Sequence, residues 1–150
     1  MEHIIPATIV GDATKARFIA TVIDNFTAIV LTIVIVGIVP EDALKLRAFL
    51  LVSTFLGYYF VQEALWSRTL GKYFQGLVVR KLDGTLGDWK TSLVRTVLRI
   101  VEVNPVLLGA IPAGLILILS DRKQRLGDIL AGSVVVSDKL SWDIDRGENV

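Results

Sequence analysis

Residues Phe18 to Val39 make a long apolar run with an aspartate, Asp24, inside it. Such a run can cross a bilayer as one helix, which needs about 20 residues. An ionisable side chain at that depth is costly, so the helix face that carries it must meet protein or water. Arg17 stands at the mouth of the same helix. The seven-residue separation is two helical turns, about 10 Å along the axis. Thr21, Ala28 and Leu31 are expected on the same face. Arg17 and Asp24 are too far apart to pair, so each needs a partner from elsewhere. Candidates are Arg95 or Arg99 for Asp24, and Asp128, Glu63 or Glu102 for Arg17.

Composition agrees with membrane residence. Apolar residues make up 53% of the 150, and mean hydropathy is +0.60, above an ordinary soluble domain. The length suits one domain. The first run reads as a retained anchor. It is too long for a signal-peptide core, and Gly37-Ile38-Val39-Pro40-Glu41 offers no cleavage site. There is no cysteine, which excludes disulfides, thiolate chemistry and cysteine metal sites. The one histidine, His3, lies in the N-terminal tail, and zinc takes several nitrogen or sulfur ligands. No metal and no cofactor is expected. A net charge of +1 gives no bulk basic field for nucleic acid. No histidine or cysteine is available for a nucleophilic set at membrane depth, so the chain is not expected to be an enzyme.

The first helix is expected from near Thr14 to before Pro40, followed by the turn Pro40-Glu41-Asp42. A second span runs from about Leu46 to Trp66. Tyr58, Tyr59 and Trp66 suit an interfacial aromatic belt, and Gln62 and Glu63 fall near its end. Gly76 to Leu82 reads as a short strand, with Asp83-Gly84 as a tight turn after it. Ser133 to Ser137 reads as another strand. Each alone is unstable, so the two are expected to pair. Between them, Leu93, Val94, Val97, Ile100 and Val101 fall on one helix face, and Asp88, Arg95, Arg99 and Glu102 on the other. Asn104-Pro105 should break that amphipathic helix. An apolar piece, Val106 to Leu119, follows, with small residues suited to close helix packing.

Lysine and arginine asymmetry places both ends of the first hairpin in the cytoplasm. If the stretch 88–120 bends at Asn104-Pro105 and returns, the cluster Arg122, Lys123, Arg125 is cytoplasmic too, and the two strands can meet. The expected fold is therefore an all-α, multi-pass, four-helix bundle of the cell membrane. Its third helix is short and amphipathic, a small cytoplasmic two-strand element is attached, and both termini are cytoplasmic. A three-span arrangement is the alternative. Residues 1–13 form an N-terminal tail, 14–137 the membrane domain and 138–150 a C-terminal tail.

Three blocks resemble one known family. Arg17-Phe18-Ile19-Ala20-Thr21-Val22-Ile23-Asp24 resembles the opening motif of the RDD family of membrane proteins, named for one arginine and two aspartates. Ser67-Arg68-Thr69-Leu70-Gly71-Lys72, followed by Gly76-Leu77-Val78-Val79, resembles its loop after the second span. Leu126 to Val136 resembles its closing motif, with Gly127 where a histidine is common and Ser133 where threonine is usual. The resemblance covers Lys15 to Val136. It implies that Arg17, Asp24 and Asp128 are the three named residues. It also implies transport for some members, cation/proton exchange among the suggestions.

Two function classes follow. One is a small transporter or cation/proton exchange subunit, homo-oligomeric because four short helices make a thin wall, with Arg17, Asp24 and Asp128 as an ion relay. Its partners would be the lipid bilayer and a monovalent cation or proton. The other is a non-transporting membrane scaffold or accessory protein in which the charges clip helices together. Glu63, Arg95, Arg99 and Glu102 are candidate counter-ions or lipid contacts; basic pockets at a membrane surface bind anionic headgroups. Gly71-Lys72 is not a phosphate loop, because the upstream glycine and the following Ser or Thr are missing.

Overall fold

The computed structural model describes Ile5, residues 13–103 and residues 124–147. In it, two helices are long and apolar enough to cross a membrane, α1 (Thr14–Gly37) and α2 (Leu44–Trp66). After them come α3 (Leu70–Phe74), β1 (Leu77–Lys81), α4 (Trp89–Val103), α5 (Leu126–Leu130), β2 (Ser133–Ser137) and α6 (Asp138–Arg146).

The polarity of these helices is inverted. In α1 the buried residues are Arg17, Ala20, Asp24, Ala28 and Thr32, while Phe18, Phe26 and Ile33 face outward. In α4, Thr91, Ser92, Arg95 and Thr96 are buried, while Leu93, Val97 and Ile100 are exposed. Water penalises so much exposed apolar surface; hydrocarbon does not. The inversion is that of a membrane protein, whose polar groups must be satisfied inside. Leu31 leaves the expected stripe and Thr32 takes its place. At about 100° per residue, a step of four from Ala28 passes a full turn by about 40°, whereas a step of three falls about 60° short.

Ala28 packs on Tyr58 and Tyr59, with Phe55 beside them. The two tyrosines, expected in an interfacial belt, turn into the protein. They are buried against α1 because their hydroxyls find Asp24 and Asn25 there, while Trp66 is exposed. Glu63, near the end of α2, is buried as well. Ser67 then turns the chain with φ of 53°, a region unfavourable for a residue with a Cβ. Its N–H donates to the Glu63 carbonyl at 3.0 Å, and its hydroxyl donates to the Gly87 carbonyl at 2.7 Å.

The two strands pair antiparallel, with Val79 opposite Val135 and Lys81 opposite Ser133. A lone two-strand ribbon is marginal in stability, and here both faces are covered. Leu77, Val79 and Val135 pack on Ala20 and on Ala13 and Ala16. Val78, Val134 and Val136 pack on Ile5, Leu140 and Ile144. The sheet thus sits between the N-terminal end of α1 and α6. Residues 138–146, expected within a tail, are this helix. Ser137 accepts a hydrogen bond from the Leu140 N–H, and Leu140 and Ile144, four apart, put one face on the sheet. Buried Arg80 fastens the same helix, with Nε on the Ser141 hydroxyl at 2.8 Å and Nη2 on Asp145 at 2.5 Å. The break at Asn104-Pro105, the piece Val106 to Leu119, the side chain of Glu102, and His3, Arg122 and Lys123 lie outside the described residues.

Candidate functional site

The α1 stripe brings Arg17 and Asp24 to the same side, where α2, α3, α4 and α5 converge. Asp24 is buried, and its carboxylate accepts three hydrogen bonds. The Tyr58 hydroxyl at 3.0 Å and the Gly71 N–H at 2.7 Å donate to Oδ1. The Thr69 hydroxyl donates to Oδ2 at 2.5 Å. All three donors are neutral. Among the described residues no cation pairs with Asp24, contrary to the expectation of Arg95 or Arg99. Those arginines are engaged elsewhere, and α3 reaches Asp24 with its backbone instead. It can do so because residue 71 is glycine: a Cβ there would lie 2.2 Å from the Ala20 carbonyl oxygen.

Arg17 reaches Asp128. Its Nη2 is 2.5 Å from Oδ2, with both side chains buried. Arg95 joins the same carboxylate at Oδ1, and also holds Glu63 Oε2 through Nε at 2.8 Å and the Ser133 hydroxyl at 3.1 Å. The Arg125 N–H adds a bond to Asp128 at 3.2 Å. Glu63 is completed by Lys72 and by Arg99 at 3.9 Å. Arg99 lies over the Tyr59 ring, 3.6 Å from its centroid, a cation–π geometry. The result is one chain of charges, Arg17–Asp128–Arg95–Glu63–Lys72, that links α1, α5, α4, α2 and α3.

Burial by itself would raise the Asp128 carboxyl; the guanidinium of Arg95, then those of Arg17 and Arg125, override it and bring it down to about 2. Burial pushes Lys72 down to about 8, against the pull of Glu63. At neutral pH both groups are charged, Asp128 more securely. Buried ion pairs of this kind add little net stability when made, but removing one partner leaves a stranded charge, at a cost of about 3–5 kcal/mol.

A cavity of about 340 Å³, measured out to its open mouth, lies against this chain of charges. Arg17, Lys72, Arg95, Arg99 and Arg125 line it, with Asp24 on one wall. Its inner part has room for about one or two water molecules. Among the described residues no group of His, Cys, Asp and Glu could hold a metal ion. The sequence did not single out Thr69, Gly71 or Tyr58 as partners of Asp24. A search for opposite charges does not find neutral donors, and Gly71 carried the only signal, a glycine beside a lysine after a span.

The RDD family model matches residues 13–132 of this chain. No curated protein and no solved structure matches it.

Proposed function

The chain belongs to the RDD family, generally integral membrane proteins, and from that premise we propose that it is a multi-pass cell-membrane protein of scaffold or accessory type. Its Arg/Asp cluster is a lock. It fastens a cytoplasmic cap, made of α3, the sheet and α5, onto the spans. Four helices, with α4 as the short amphipathic one, and both termini in the cytoplasm complete this reading.

The observation that carries it is the partner set of Asp24. Each hydrogen bond to that carboxylate is also a contact that holds α2 or α3 against α1. A relay group must change partners as it works; a lock keeps them. Transport is a second reading, favoured by the cavity that reaches Asp24.

Asp24→Asn separates the two. Asparagine keeps hydrogen-bonding capacity and cannot ionise. The lock reading expects lower thermal stability in detergent, and no pH-driven flux of sodium or potassium in proteoliposomes from either protein. Wild-type flux that vanishes in Asp24→Asn, with stability unchanged, would overturn it.

A further inference from the structure

We propose that the end of α2, with α3 and the start of α4, forms an aromatic collar that docks in the headgroup layer of the bilayer, anchored by Trp66, Tyr73, Phe74 and Trp89. The inference rests on the membrane reading and goes beyond the lock, which concerns contacts within the protein. The four residues are 61%, 61%, 64% and 56% exposed, so each leaves more than half of its surface uncovered. Rings of this size carry much apolar area, and water penalises a cluster of them left bare. They gather around one junction. Trp66 ends α2, and the next residue, Ser67, donates its hydroxyl to the Gly87 carbonyl at 2.7 Å, which brings Trp89, the first residue of α4, to the same place. Arg68 follows Ser67 and lies over the Tyr73 ring, 5.5 Å from its centroid. Tyr73 in turn meets Phe74 edge-on, with centroids 6.0 Å apart.

Depth supplies the second observation. α3 is pinned to α1 at Ala20 and Asp24: the Gly71 N–H donates to Asp24 at 2.7 Å, and a Cβ on residue 71 would run into the Ala20 carbonyl. Ala20 and Asp24 lie about 9 and 15 Å along α1 from Thr14, just inside the apolar run that begins at Phe18. In a bilayer that α1 crosses, α3 is therefore held where headgroups give way to hydrocarbon, with Leu70, Tyr73 and Phe74 exposed. Trp66 comes to a similar level. The Tyr58 hydroxyl reaches Asp24 at 3.0 Å, and Trp66 stands eight residues beyond Tyr58, about 12 Å further toward the mouth of α1. Phe18 and Val22 at that end of α1, and Leu65 on α2, are exposed too. The collar thus continues the outward apolar faces of the two spans.

The chemistry selects the occupant. Trp and Tyr concentrate at membrane–water interfaces, where the ring sits at headgroup level and its polar tip stays wet. Two of the rings have a cation beside them: Arg68 over Tyr73, and Lys90 at 5.7 Å from the Trp89 centroid. Basic side chains at that level are drawn to anionic headgroups. A protein partner fits less well, since lysine is depleted from protein interfaces and exposed Lys90 stands beside Trp89. The bilayer then holds α3 from outside while Asp24 holds it from within. Of the residues expected in an aromatic belt, Trp66 belongs to this collar, and Tyr73, Phe74 and Trp89 complete it.

The test uses the full chain in liposomes of phosphatidylcholine brominated either near the headgroup or near the end of the acyl chains. Single-tryptophan chains keep Trp66 or Trp89, with the other two tryptophans replaced by phenylalanine. Fluorescence of both should be quenched, and more by the shallow bromines than by the deep ones. Phe74→Cys, unique in a chain without cysteine, carries a spin label that tests α3 even if a tryptophan variant does not fold. That label should meet oxygen more readily than a water-soluble nickel complex. Phe26→Trp, in a chain lacking the three native tryptophans, is the control for the span: about 18 Å along α1, it should be quenched more by the deep bromines. Trp66 and Trp89 quenched by neither lipid, or more by the deep one, overturn the proposal, and so does a Phe74→Cys label that favours nickel. Unquenched emission together with self-association would give the collar to a second copy of the chain and overturn it too. Failure of the membrane reading would look different, because Phe26→Trp would then be unquenched as well. Failure of the lock would show in flux and in the stability of Asp24→Asn.

Discussion

Gly71→Ala places one methyl group where α3 meets α1. The new Cβ would stand 2.2 Å from the Ala20 carbonyl oxygen and 2.9 Å from the Asp24 carboxyl carbon. The first of these is helix backbone and cannot swing away, so α3 must retreat by about 1 Å to reach normal contact, an overpacking that costs about 1–3 kcal/mol. The same retreat stretches the 2.7 Å bond from the Gly71 N–H to Asp24. A hydrogen bond to a buried charge is worth about 1.5–3 kcal/mol, so the whole loss is about 3–5 kcal/mol. For a chain of this length each kcal/mol moves the midpoint by about 2–4 °C, which predicts a fall of about 10 °C. Thermal unfolding in detergent, followed by circular dichroism, measures it. Gly57→Ala on α2 is the control: no heavy atom lies within 4 Å of its new Cβ, and alanine favours helix, so that midpoint should hold or rise. A Gly71→Ala midpoint within about 2 °C of wild type would refute the close approach and the docking of α3 that depends on it.

Arg17→Lys should be less stable than wild type, because an ammonium cannot reproduce the fork on Asp128; Asp128→Asn should then cost less in that background than alone, and fully additive losses would mean the two do not meet. Asp128 also sets an acid limb. Its carboxyl is depressed to about 2, so its contribution is complete above the ordinary aspartate range and disappears as pH falls through about 2, a loss of about 2 kcal/mol. Asp128→Asn should flatten that limb, and an unchanged limb would show that the residue is not held charged. The chain lacks cysteine, so single cysteines at Lys45 and Ser137 test the proposed orientation: labelling of Ser137→Cys from outside intact cells would defeat the four-helix arrangement with cytoplasmic ends.

The elements that sequence made legible are those whose pattern exceeds their length. α1 and α2 announce themselves because 24 and 23 residues of apolar character have few alternatives. The strand pair follows from Val-rich segments that cannot stand alone. α3 and α5, with five residues each, are too short for a helical period to show. α6 was hidden differently. Its cap Ser137 and its pair Leu140 and Ile144 were visible, but a helix of nine residues has meaning only once a sheet offers it a face.

The site divides along the same line. Arg17 and Asp128 could be matched as opposite charges, and the structure joins them at 2.5 Å. Asp24 could not be matched so, since its partners are a tyrosine hydroxyl, a threonine hydroxyl and a backbone N–H. In water such donors would compete with solvent for a carboxylate and gain little. Buried inside the protein, three neutral donors meet the carboxylate where an arginine was expected.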